Sequence, residues 1–154
     1  MCGGLVDSEH DGSFVFRLDP TSDEPSTVVT DFVKPNGQAC SPESLLYIVD
    51  TGATDVEDGP QHIRVFEVTY DSTLSNGRIF ATCETELFDG FRIGTNDNVW
   101  TSAGDGLHCY TPEGELIGKI LINDVVANVE FGEIKRNRLF SCATRSLHAV
   151  CLNT

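Results

Sequence analysis

A chain of 154 residues is long enough for one ordinary hydrophobic core, and 40% hydrophobic with 22% charged residues describes a globular protein rather than a disordered one. Ten Lys and Arg against 24 Asp and Glu give a net charge of −14, which repels nucleic acid and anionic lipid and sets both aside as partners. No apolar run approaches the roughly 18 residues of a membrane span, MCGGLVDSEH has neither the basic nor the apolar region of a leader, and N-x-[ST] is absent, so a cytoplasmic protein is expected. The six cysteines (Cys2, Cys40, Cys83, Cys109, Cys142, Cys151) lie far apart with no C-x-x-C or zinc-type Cys/His spacing. They read as small buried hydrophobes in a reducing compartment.

The expected elements are strands throughout, because β-branched and aromatic runs bounded by Gly, Pro, Asn and Asp recur and no helical period is sustained. In chain order, PNGQACSPESLLYIVDT from Pro35 gives two strands, and the loop DTGATDVEDGPQ (50–61) follows. Asp55, Glu57 and Asp58 in that loop do not meet the EF-hand ligand order around Gly59, so it reads as a solvated acidic loop. HIRVFEVTYDSTLSNGRIFATC then gives two strands that turn near Asp71 and Ser75-Asn76-Gly77. FDGFRIGTNDNVWTSA from Phe88 and GLHCYTPEGELIGKILI give four more, with a turn at Thr111–Gly114 where Pro and Gly fit turn chemistry. VANVEFGEIKRNRLFSCAT from Val126 starts the plan again.

Three of these segments share one layout: a small polar residue, a short strand, a turn, and a second strand bearing an aromatic. Asn36, Asp89 and Asn128 hold matching places, 11 positions before Tyr47, 11 before Trp100 and 12 before Phe140. The units are 53 and 39 residues apart, bracketing the roughly 40 to 50 residues of a propeller blade. Four strands per unit means an all-β propeller of antiparallel blades, with units starting near 36, 89 and 128 of a single segment, 1–154. Asn-Gly and Asp-Gly are ordinary turn dipeptides, and only their register and the resemblance below make Asn36 and Asp89 more than turns. Asp50, His62, His10, His108 and His148 read as structural, and Trp100 and Tyr47 as packing aromatics.

KPNGQACSPESLLYIVDTGA, HIRVFEV, LSNGRIFA, FDGFRIGTNDNVWTSAGDGLHCYTPEGELIGKI, VANVEFG and RNRLFSCATRSLHAV, in that order, resemble the gluconolactonase / senescence-marker-protein / luciferin-regenerating-enzyme family. The resemblance starts by Gly12 and departs at Gln38 and Cys40, where that family carries apolar residues, and at Gly94, where an acid is common. It implies a six-bladed β-propeller that hydrolyses lactones and related esters with a divalent metal, often calcium, in the central channel. It further implies that Asn36 and Asp89 match two of three protein metal ligands and that Asp89 matches the proposed general base. Asn128 matches no ligand of the family; its place before a strand suits either a substrate contact or the capping of a backbone group.

Six blades at roughly 45 residues each need about 270 residues, so a chain of 154 holds a little over three. The third family ligand, a glutamate of an EGP-type motif, has no counterpart, EDGP at Glu57–Pro60 being in the wrong place. The expectation is therefore the C-terminal half of a lactonase-like propeller in a truncated chain. Three readings follow: a metal-dependent lactone hydrolase acting on a small-molecule lactone, a non-catalytic binding or scaffold half-propeller, and an inactive fragment that folds when its open blade edges self-associate.

Overall fold

The computed structural model describes residues 12–22 and 24–153, and among these the structure is all-β. The strands are β1 (Ser13–Arg17), β2 (Ser26–Phe32), β3 (Pro35–Cys40), β4 (Leu45–Asp50), β5 (His62–Val68), β6 (Leu74–Thr82) and β7 (Phe91–Ile93). They continue with β8 (Val99–Ala103), β9 (Gly106–Tyr110), β10 (Leu116–Leu121), β11 (Val126–Gly132), β12 (Arg138–Ala143) and β13 (Leu147–Cys151). Strands β3-β4-β5-β6 and β7-β8-β9-β10 form two complete four-stranded meanders, flanked by the three-stranded β11-β12-β13 and the two-stranded β1-β2. Every pairing is antiparallel between neighbours in sequence. These are propeller blades, in a partial ring. No described helix is long and apolar enough to cross a membrane.

The core lies between the sheets. Tyr47, Val49, Ile63 and Phe80 of one complete blade meet Phe88, Phe91, Val99 and Tyr110 of the next, while Val129, Phe131 and Leu139 meet Leu107, and Val29 and Phe32 meet Ile48 and Phe66. Strand β4 is buried on both faces, with Ile48 in one interface and Tyr47 and Val49 in the other, which is why its sequence LLYIVD is a continuous apolar run rather than an alternating one. Trp100 packs against the Leu107–Leu139 cluster, so both aromatics serve blade packing as expected. The Phe91 ring, 1% exposed, meets Tyr47 edge-on at 6.5 Å. Truncating it to Ala would cost about 3–5 kcal/mol and release the start of β7 from the neighbouring blade.

Two expectations are corrected by the local structure. Ser75-Asn76-Gly77 is no turn: it lies inside β6, with Asn76 at φ 52° where the β5–β6 register slips between Val65 and Glu67. Asn tolerates the left-handed conformation that a bulge demands, so the turn-like dipeptide marks a bulge, and the reversal itself falls at Asp71-Ser72. Of the five described cysteines, Cys83 and Cys109 are buried, but Cys40, Cys142 and Cys151 are exposed free thiols; Cys2 and His10 lie outside the described residues. The turn at Thr111–Gly114 forms as expected, with Gly114 at φ 93°.

Candidate functional site

The innermost strands of three successive sheets, β3, β7 and β11, run side by side, and their starting residues are in contact. Asp89 precedes β7 by two residues and is held from several directions. Phe88 before it is fully buried, edge-on to the Tyr110 ring at 5.8 Å, and Phe91 after it fills the blade junction. The Asp89 N–H donates to Ser102 Oγ at 3.1 Å, the Gly90 N–H to Ala127 O at 2.8 Å, and the Ser102 N–H to Gly90 O at 3.0 Å. A Cβ on Gly90 would fall 2.2 Å from Asn128 Oδ1, and one on Gly37 would fall 2.5 Å from the Asp89 carbonyl oxygen. Glycine follows Asn36 and Asp89 because a side chain there would strike the next blade, at the Asp89 carbonyl for Gly37 and at the Asn128 side chain and Ala127 carbonyl for Gly90.

Asn36 stands where the β3–β4 register slips between Pro35 and Gln38, and its exposed side chain donates from Nδ2 to Asp89 Oδ1 at 2.8 Å across the blade junction. Residues 53 apart in sequence are thus joined, as the repeat register predicts. Asn128 also stands at a register slip, next to Gly90, but inside β11 rather than ahead of a strand, and its Oδ1 accepts the N–H of the next residue, Val129, at 2.9 Å. Burial raises the pKa of the Asp89 carboxyl above its ordinary value, and the Asn36 hydrogen bond offsets only part of that.

A cavity of about 220 Å³ opens beside the pair. Lys34, Thr51 and Thr54 of the preceding blade line it together with Leu87, Ala103, Val125 and Val126. Lys34 is pinned at every point: Asp50 accepts its N–H at 2.8 Å, Thr51 N donates to its carbonyl at 3.0 Å, and its Nζ donates to Thr54 Oγ1 at 2.8 Å and Asp55 Oδ1 at 2.9 Å. Asp50, buried, also accepts the Val33 and Gly52 N–H groups, a structural role as expected. Sequence reading passed over Lys34, Thr54 and Ser102; Lys34 alone had a signal, its place two residues ahead of Asn36 in the KPNG motif. A second cavity of about 230 Å³ lies at the far end of β7, and the described residues that line it, among them Asn96, Trp100, Phe131 and Arg136, include no acidic side chain.

Among the described residues no group of three or more His, Cys, Asp or Glu side chains is placed to enclose a metal. The donor set at Asn36 and Asp89, an amide oxygen and a carboxylate at one blade junction, is nonetheless that of a hard cation that tolerates water among its ligands.

The sequence profile of the SMP-30/Gluconolactonase/LRE-like region matches residues 2–145. A gluconolactonase of Zymomonas mobilis is 27% identical over 91% of this chain and 40% of its own length, and a lactonohydrolase of Aspergillus oryzae is 28% identical over 77% of this chain and 29% of its own. The structure of a gluconolactonase from Xanthomonas campestris superposes with a TM-score of 0.83 at 29% identity, covering 96% of this chain and 47% of that one. The chain spans less than half the length of each of these three proteins.

Proposed function

Because the chain belongs to the SMP-30/Gluconolactonase/LRE-like family, we propose that it contributes the lactone-hydrolysing centre of a propeller, with Asn36 and Asp89 at that centre. The observation that carries the reading is the 2.8 Å contact between these side chains, brought together from two blades at the mouth of a cavity. Asp89 is the general base: half-buried and with its proton affinity raised by burial, it takes a proton from a water whose oxygen adds to the lactone carbonyl carbon. The ring C–O bond then breaks, and the ring oxygen leaves as a hydroxyl by taking that proton from Asp89, giving a hydroxy acid. A divalent cation, calcium by its preference for oxygen donors, would be held by Asn36 and Asp89 and would polarise the carbonyl. Asn128 joins the reading as a substrate contact through its amide nitrogen, its oxygen being engaged by Val129. A reducing, cytoplasmic setting completes it.

The test follows acid release from glucono-δ-lactone, above the spontaneous rate, as calcium is titrated into the wild type and Asn36→Ala. The reading expects calcium-stimulated hydrolysis, with the concentration for half-stimulation raised about tenfold or more in Asn36→Ala. Hydrolysis indifferent to both calcium and Asn36 contradicts it.

A further inference from the structure

The cavity beside Asp89 is lined unevenly. Leu87, Ala103, Val125 and Val126 contribute hydrocarbon, Glu86 and Asp89 carboxylates, and Lys34 the one cation among the described residues of its lining. In a chain with 24 acidic side chains against ten basic ones, a lysine held at the cavity stands against the prevailing charge. The ammonium carries three donors, and two are engaged, by Thr54 Oγ1 at 2.8 Å and Asp55 Oδ1 at 2.9 Å. Thr54 lines the cavity and Asp55 does not, so the ion pair anchors Lys34 from behind the cavity wall while its side chain keeps 28% exposure. With its backbone fixed by Asp50 and Thr51, the side chain is pre-organised at both ends, and little entropy remains to be lost when the third donor finds an acceptor.

Resting on the lactone-hydrolase reading, we infer that Lys34 is a specificity-determining residue, donating its third N–H to a ring hydroxyl oxygen of a hydroxylated lactone. The hydrocarbon lining from Leu87 and Val125 takes the C–H surface of the same ring. The volume of about 220 Å³ leaves room beside Lys34 for a small ring. A hydroxyl-bearing lactone gains a charge-assisted hydrogen bond here, and a lactone of the same ring size without hydroxyls gains nothing from Lys34.

The experiment compares glucono-δ-lactone with δ-valerolactone, the same ring without hydroxyls, on wild type, Lys34→Met and Lys34→Arg, with thermal melting to verify folding. The expected result for Lys34→Met is a loss of about tenfold in kcat/KM on glucono-δ-lactone, carried by KM, with δ-valerolactone unchanged; Lys34→Arg restores most of the preference. Saturation-transfer NMR with D-gluconate reads binding without turnover and should weaken in parallel. Equal loss on both lactones, or no loss on either, overturns the role of Lys34 while leaving hydrolysis at Asp89 standing. Loss of gluconate binding in Lys34→Met alongside unaltered turnover in Asp89→Asn would remove the hydrolytic reading and keep the binding residue. A wild type that neither hydrolyses nor binds these compounds overturns both.

Discussion

Asp89 and Asp105 are both aspartates followed by glycine, both beside strands of one blade, and the protein treats them in opposite ways. Asp105, at the β8–β9 turn, faces the His108 Nε2 at 2.6 Å, accepts from Thr85 Oγ1 at 3.0 Å, and pairs with Lys119 Nζ at 3.0 Å. Burial alone would raise its pKa; the hydrogen bonds from Lys119, His108 and Thr85 overcome that and hold it at about 2. Asp89 has one amide partner at its side chain, and burial pushes its pKa up. A carboxylate satisfied on both oxygens is a strap, here tying β9, β10 and the segment ahead of β7 together; one left short of donors in a half-buried place is available for chemistry.

The contrast is broken most sharply by removing each charge. Asp105→Asn takes the anion from Lys119 and from the His108 ring, which is 2% exposed, and should cost about 3 kcal/mol in urea unfolding. Asp89→Asn keeps an amide acceptor for Asn36 and loses a poorly solvated charge, so its stability should stay within about 0.5 kcal/mol of the wild type or rise. The reverse order would show that the two roles have been exchanged.

A smaller effect is expected from the glycines that let the blades meet. Gly37→Ala sets a Cβ against the Asp89 carbonyl, backbone against backbone, and should lower lactone turnover about tenfold by shifting Asp89 from Asn36. Gly118→Ala, which meets nothing within 4 Å, should leave turnover unchanged. Equal effects at both positions would detach the Asn36–Asp89 contact from activity.

The pH dependences sharpen the comparison furthest, with the smallest changes. Because the folded-state pKa of Asp105 is depressed, its stabilisation is fully present above the ordinary value of 3.8 and is lost as pH falls toward about 2. Asp89 has the opposite sign: its raised pKa means that the folded chain binds the proton more tightly, and ionisation costs stability as pH rises through the folded value. A carbon-13 NMR titration should place the Asp89 carboxyl above 3.8 and show it fall on adding calcium. A midpoint below 3.8 without metal, or no response to calcium, would count against both the burial and the ligand role.

The blades were legible because runs such as HIRVF and GLHCY are bounded by turn residues and repeat at blade length, and the meeting of Asn36 with Asp89 because their units share one register. Lys34 and Thr54 escaped because their meeting depends on the 50–61 loop folding back through the short helical turn at Gly52–Thr54, which has no period to read. Ser102 reaches Asp89 through a backbone N–H, a contact that any small hydroxyl residue in β8 could make. Asn76 misled because the left-handed conformation serves a bulge as well as a turn. Cys40, Cys142 and Cys151 misled because compositional burial preference says nothing about which strand face a residue takes.

Turnover of glucono-δ-lactone by the wild type and Asp89→Asn, at one saturating calcium concentration, tests most directly the proposal that Asp89 is the proton-accepting base of lactone hydrolysis. The substituted chain should melt at or slightly above the wild-type temperature and lose about 100-fold or more in kcat, the loss expected when a general base is removed. Wild-type turnover in a folded Asp89→Asn chain would contradict it.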